Sequence, residues 1–222
     1  MNDRLSPEGL RYAQAVARTG SFNAGVVARA QRAVAALPGR GKDSLVLHEA
    51  ESVRAVCPLD DGGLDLIVVP AVLPLTRCRH RVIGSEPVVL VEPEADDAGA
   101  SSAATAAARV DELAHRTLLL VPDTCGLTTF TRGLLADRGL PLRAYSGEAA
   151  SYRVLEGWAG MGLGSALLPR SKVTSVESRA RPVVDVDGAA ITIAYEAAWD
   201  GASPIADELE SLAGGLVFEG GP

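Results

Sequence analysis

The stretch Gly63-Leu64-Asp65-Leu66-Ile67-Val68-Val69 decides how the rest of the sequence is interpreted. From Leu66 onward it is an unbroken apolar run rich in β-branched residues, and Pro70 and Ala71 close it. A short run of this kind between turn residues is typical of a strand that is buried on both faces. The stretch therefore predicts a strand inside a parallel sheet that helices cover on both sides.

Similar apolar runs recur along the chain and predict further strands. They lie at 45–48, 87–92, 117–121, 142–145, 164–168 and 190–196. Apolar residues at helical spacing predict helices at 21–37, 126–138, 147–159 and 203–213. Strands that alternate with helices in this way indicate an α/β fold built on parallel sheets.

Composition and charge narrow the class of protein. The 222 residues are 47% hydrophobic, which suffices for one large domain or two small lobes. No apolar run reaches the length of about 18 residues that a membrane span needs, and no secretory signal is present, so we expect a cytoplasmic protein. A net charge of −7 disfavours unaided DNA binding, which needs a basic surface. The three cysteines and three histidines lack metal-ligand spacing, so we expect neither a metal nor another cofactor.

Four segments, in this order, resemble the effector-binding domain of LysR-type transcriptional regulators. They are Leu45-Val46-Leu47-His48-Glu49-Ala50-Glu51-Ser52, Gly63-Leu64-Asp65-Leu66-Ile67-Val68-Val69, Leu118-Leu119-Leu120-Val121-Pro122 and Gly162-Leu163-Gly164-Ser165-Ala166-Leu167-Leu168-Pro169. The resemblance covers roughly residues 44–213. It implies an α/β fold of two Rossmann-like lobes joined by a hinge, like that of the type 2 periplasmic binding proteins.

The same resemblance implies a division of the chain. Residues 44–85 would belong to the first lobe, 86–165 to the second, and 166–218 would return to the first. Residues 1–43 have two interpretations. They could supply the first strand and helix of the first lobe, because losing that central strand would expose neighbouring backbone groups.

The alternative for the N-terminal segment is a remnant of the family's winged helix-turn-helix. Residues 10–24 resemble the opening of that motif, and Ala30-Gln31-Arg32-Ala33-Val34 resembles the start of its recognition helix. The Ala-rich stretch at 10–17 also reads more like helix than strand. Both interpretations leave an incomplete DNA-binding domain, and we expect a free-standing effector domain.

The loops that follow the predicted strands are the expected ligand-binding site. In open α/β sheets the ligand lies beyond the carboxyl ends of the strands, where helix N-termini offer free N–H groups to anions. The candidate ligand-binding residues are Arg18, Thr19, Ser21, Phe22, Asn23, Pro70, Ala71, Thr124, Cys125, Thr128, Ser146 and Gly147. Simpler roles stay open: Ser21, Thr124 and Ser146 could be helix N-caps, and Cys125 a small buried residue.

Two functions are compatible with this fold. In the first, a small anionic metabolite closes the two lobes, and the domain regulates transcription through a partner, as a homodimer or a heterodimer with a related protein. Direct DNA binding would be weak or absent. In the second, the domain is a cofactor-independent enzyme of specialised metabolism that performs an elimination or cyclisation on an anionic substrate. Its candidate reactive residues are Asp123, Cys125, Glu148 and His48. No motif links these four, so we place regulation first.

Overall fold

The computed structural model describes residues 10–14, 21–36, 45–49, 64–72, 74–93, 106–122, 126–175 and 179–217. Contacts divide these residues into two compact units. The first unit contains the described residues up to Gly84 and those from Ala194, and the second is Ser85–Ile193. In the part of the chain described, no helix is both long and apolar enough to cross a bilayer.

The first unit is built on a mixed sheet, and the long strand Arg79–Glu92 also begins in this unit. The strands of this sheet are β1 (Leu10–Gln14), β2 (Leu45–Glu49), β3 (Leu66–Pro70) and β10 (Thr192–Trp199). They lie in the order β2-β1-β3-β10, with β1 parallel to both of its neighbours and β10 antiparallel to β3. All five residues of β3 are buried, as the continuous apolar run predicts.

The N-terminal segment supplies a strand and a helix rather than a helix-turn-helix. Strand β1 pairs with β2 on one side and β3 on the other, and helix α1 (Ser21–Ala35) follows it. The Ala-rich stretch 10–17 that contains β1 favours a helix locally, but hydrogen bonding of β1 to two neighbouring strands overrides that preference. The described elements Leu10–Gln14 and Ser21–Ala35 therefore agree with the strand–helix interpretation.

The second unit contains a mixed sheet with three parallel strands. Strands β6 (Thr117–Leu120), β7 (Arg143–Glu148) and β8 (Ser165–Pro169) are parallel, and β4 (Arg79–Glu92) runs antiparallel to β8. The order is β4-β8-β6-β7. Strand β9 (Arg179–Val184) pairs antiparallel with β4 and parallel with the short β5 (Ala108–Arg109).

The return to the first unit occurs later in the chain than we predicted. Strand β8 was assigned to the segment 166–218 that returns to the first lobe, but it pairs with β4 and β6 inside the second unit. Strand β9 also belongs to the second unit, and the chain re-enters the first unit at Ala194 within β10. The apolar run of β8 is compatible with a strand in either sheet, so only the pairing of β8 shows that it belongs to the second unit.

Helices of the second unit follow β6 and β7. Helix α2 (Leu127–Ala136) and helix α3 (Tyr152–Gly160) bury apolar faces that include Leu134, Leu135 and Leu155. In the first unit, α1 packs against the last helix, α4 (Ala206–Leu216). The ends of β1, β6 and β7 are therefore each followed by a helix start, which is the arrangement that creates ligand sites in such sheets.

Candidate ligand-binding site

In the first unit, the carboxyl ends of β1 and β3 lie at the same edge of the sheet, because the two strands are parallel. Strand β3 ends at the buried Pro70, and the Ala71 N–H donates to the Ala194 carbonyl at 2.9 Å. The Val72 N–H then donates to the Pro70 carbonyl at 2.9 Å, which makes a tight turn. Pro70 and Ala71 are thus placed at the sheet edge where we expected a ligand.

The other predicted residues of this unit lie at or before the start of α1. Ser21, Phe22 and Asn23 form its first turn, although their side chains fall outside the described part of the chain. Arg18 and Thr19 lie outside the described residues altogether. A ligand-binding role for these five residues stays a prediction.

In the second unit, the ends of β6 and β7 are neighbours. Leu120 is paired with Glu148, and the Ala149 N–H donates to the Leu120 carbonyl at 2.9 Å. The two predicted loops of this unit, after β6 and after β7, therefore begin side by side. Asp123, Thr124 and Cys125 belong to the first of these loops and lie outside the described residues.

Thr128 has a structural contact that the sequence did not reveal. Its side chain is buried, and its Oγ1 donates to the Val121 carbonyl at 2.6 Å. This bond ties the first turn of α2 to the end of β6 and commits the only hydrogen that the hydroxyl can donate. A ligand could use only the acceptor lone pairs of Thr128, so its predicted binding role is restricted.

Gly126 is a residue at this edge that no sequence pattern singled out. It is the N-cap of α2, with a left-handed φ of 70°, and it is buried. The first α-helical bond runs from the Phe130 N–H to its carbonyl at 2.8 Å. Because glycine has no side chain, it cannot cap the free N–H groups of the first turn, which must find other acceptors. The sequence feature that could have identified Gly126 is a glycine between a predicted strand and a predicted helix.

Ser146 is not the N-cap of the following helix, which corrects one of the two roles considered for it. Strand β7 continues through Ser146 and Gly147 to Glu148, and Ser151 caps α3 by accepting the Val154 N–H at 3.3 Å. Ser146 and Glu148 are exposed and Gly147 is half-buried, which is the alternation of a strand. The sequence did not predict this alternation, because small polar residues lack the apolar pattern of a strand.

The described part of the structure does not show the four candidate reactive residues close together. Glu148 is exposed at the end of β7. His48 lies on β2, with its side chain outside the described part, and Asp123 and Cys125 are not described. Within the described ranges, no three His, Cys, Asp or Glu side chains are grouped as metal ligands would be.

Comparison with known proteins identifies the family. The family model described as the LysR substrate binding domain matches residues 43–213. A comparison with curated protein sequences found no match.

Solved structures of LysR-type regulators share the fold. The reduced OxyR regulatory domain from Pseudomonas aeruginosa superposes with a TM-score of 0.67 at 18% identity, over 94% of this chain and 97% of that one. The effector-binding domain of a BenM variant gives 0.70 at 18% identity, over 94% of this chain and 93% of that one. Full-length CbnR complexed with its target DNA gives 0.71 at 12% identity, over 94% of this chain and 70% of that one. The predicted two-lobed α/β fold is confirmed, and the chain belongs to the LysR substrate-binding domain family.

Proposed function

We propose that this domain binds a small anionic metabolite with the loops at the carboxyl ends of its parallel strands. The observation that carries the proposal is the pairing of two strand ends in the second unit, Leu120 with Glu148, each of which leads into a helix. Helix α2 starts at a glycine that cannot cap it, so its first-turn N–H groups are suited to an anion. The related BenM structure is that of an effector-binding domain, which is consistent with a ligand role here.

We further propose that binding serves transcriptional regulation and acts through a partner protein. The CbnR relative was solved on its target DNA, and this chain covers 70% of that protein. The net charge of −7 is unfavourable for contact with DNA phosphates. A related regulator that pairs with this chain would therefore supply the contact with DNA. The enzymatic alternative gains no support from the described residues, because Glu148 is exposed on β7.

Thermal unfolding in the presence of small carboxylates and phosphate esters tests the ligand proposal. A compound at a hundred times its Kd should stabilise the domain by about 2.7 kcal/mol and raise its Tm accordingly. The test variant is Thr124→Val, which removes a hydroxyl at the proposed site. The matched control is Thr192→Val, because Thr192 is exposed at the start of β10, away from both loops.

The expected result is that a stabilising compound loses affinity in Thr124→Val and keeps it in Thr192→Val, with no chemical conversion of the compound. A panel without any stabilising compound, or equal affinities in the two variants, would contradict the proposed site.

The partner proposal is tested separately by light scattering, which measures the oligomeric state, and by gel retardation, which measures DNA binding. The chain alone should fail to retard promoter DNA at physiological salt, and strong retardation by the chain alone would contradict a partner-dependent role.

A further inference from the structure

A second cavity lies in the second unit, at the sheet edge opposite to the proposed effector loops. It encloses about 610 Å³. Strand β4 ends there at Glu92, and its antiparallel partners β8 and β9 begin there at Ser165 and Arg179. Strand β6 is parallel to β8 and therefore also begins at this edge. The cavity is thus bounded by the amino ends of β6 and β8, whereas the effector loops follow carboxyl ends.

Buried charges form one wall of this cavity. The Arg181 side chain is 9% exposed, and its Nη2 donates to Glu92 Oε2 at 2.9 Å and to Glu112 Oε2 at 3.3 Å. Arg116 Nη1 lies 3.2 Å from the other Glu92 oxygen, and Ser165 Oγ donates to that oxygen at 3.4 Å. The Glu92 carboxylate is therefore already shared by two guanidinium groups and a hydroxyl.

Glu112 is also held in its ionised form. Burial alone would raise the pKa of its carboxyl, but the backbone N–H of Arg109 and the Arg181 guanidinium outweigh burial and lower that pKa. The Arg109 N–H donates to Glu112 Oε1 at 3.0 Å. Both acidic side chains of the cavity are thus already bonded to donors of the protein.

Positive charge remains in excess. Three arginines, Arg116, Arg179 and Arg181, line the cavity against two glutamates. Among the described residues, the buried Arg181 Nε has no hydrogen-bond partner. The Arg116 side chain is 42% exposed and keeps donors directed to solvent, because a guanidinium carries five N–H groups. A cavity with surplus guanidinium donors and already satisfied carboxylates favours an oxygen-rich anion.

We propose that this cavity is a second binding site, for a small oxyanion that carries a carboxylate or phosphate group, with Arg116 as its most accessible contact. It is separate from the effector loops after β6 and β7, and so it does not depend on the function proposed for them. The shared chemistry of the two anions is a set of oxygens that accept paired N–H donors from arginine.

Isothermal titration with inorganic phosphate and with succinate, each at constant ionic strength set by chloride, tests the proposal. We expect saturable binding of at least one anion with a Kd below about 10 mM. Arg116→Gln should weaken that binding by about tenfold, since it removes a charged donor. The matched control is Arg153→Gln, which removes an exposed arginine on α3, outside the cavity.

Glu112→Gln gives a second and opposite readout. It removes a negative charge from the cavity and should tighten anion binding by about two- to fivefold. A purely structural role for Glu112 predicts no tightening. Phosphate binding without succinate binding, or the reverse, supports the site and identifies which anion it takes. The proposal is overturned if neither anion binds below about 10 mM, if Arg116→Gln and Arg153→Gln bind alike, or if Glu112→Gln weakens binding.

Discussion

The Glu156 carboxylate holds Thr174 by three hydrogen bonds. The Thr174 N–H donates to both carboxylate oxygens, at 3.0 and 3.2 Å, and the Thr174 Oγ1 donates to Oε2 at 2.7 Å. The Ser175 N–H adds a fourth hydrogen bond at 2.8 Å. Glu156 is 3% exposed, so a buried acid on α3 fixes the chain that leaves β8. A buried carboxylate without such donors would be strongly destabilising.

Glu156→Ala tests this anchor. Removal of the carboxylate leaves two backbone N–H groups and a hydroxyl without their acceptor, and we expect a loss of about 3 kcal/mol in unfolding free energy. Glu156→Gln keeps one acceptor oxygen and should lose roughly half as much. Urea denaturation with an unchanged m-value measures both. The exposed Glu148→Ala is the control and should shift the midpoint little. Equal midpoints for the wild type and Glu156→Ala would refute a stabilising role for the anchor.

The pair Arg138–Asp185 predicts a pH dependence of stability. Hydrogen bonds from the Arg138 guanidinium and the Val186 N–H lower the pKa of the Asp185 carboxyl below its ordinary value. A group whose pKa is lower in the folded protein stabilises it above the unfolded-state pKa and loses that contribution as the pH falls through the folded-state pKa. The contribution of this pair should therefore be complete near neutral pH, begin to fall near the ordinary Asp pKa of about 4, and vanish once the pH is below the lowered folded-state pKa.

Urea midpoints of wild type and Arg138→Gln across this pH range measure the effect. We expect the midpoints to differ near neutral pH and to converge in acid, while Arg153→Gln, an exposed arginine on α3, shows no such convergence. A midpoint difference that stays constant from neutral pH into acid would mean that Asp185 ionisation does not contribute.

The elements that the sequence predicted best are those with a strong local pattern. Strand β3 is an apolar run, and its five buried residues match the prediction. Strand β1 was ambiguous, because the alanine-rich stretch 10–17 around it favours a helix and its strand state depends on pairing with β2 and β3. The end of β7 was missed since Ser146 and Gly147 resemble turn residues.

The anion cavity could not be predicted from any local motif. Glu92 and Arg181 meet because β9 pairs antiparallel with β4, and Arg116 joins them because it directly precedes β6, which lies beside β8, the other neighbour of β4. The effector loops were predictable for the opposite reason: each directly follows its strand, so a strand prediction also locates the loop. The hydrogen bond from Thr128 to Val121 depends on the packing of α2 and was not predictable.

Gly126 and Gly133 should respond oppositely to replacement by alanine. Gly126 has φ 70° at the start of α2, where a Cβ is strained, so Gly126→Ala should destabilise the domain by about 1–2 kcal/mol. Gly133 lies inside the same helix, where an added Cβ would have no neighbour within 4 Å, so Gly133→Ala should stabilise it by about 0.5–1 kcal/mol. Thermal or urea unfolding of the two variants measures the contrast. Destabilisation of similar size in both would contradict the left-handed start of α2.

The contact between α1 and α4 depends on Gly215. A Cβ at this position would lie 2.8 Å from the Ala33 Cβ, closer than two methyl groups can approach. Gly215→Ala should therefore lower the unfolding free energy by roughly 1–3 kcal/mol, as overpacking does. Ala33→Gly removes the opposing methyl group, so adding Gly215→Ala to it should have little effect or a stabilising one, since alanine is the better helix former.

A double-mutant cycle on Ala33 and Gly215 measures this coupling directly. If the effects of the two substitutions on the unfolding free energy are additive, the helices do not meet at these residues, and the packing of α1 on α4 described above is wrong. If they couple by about 1 kcal/mol or more, the contact is established in solution. That result would also place α1 in the first unit as a helix packed on α4.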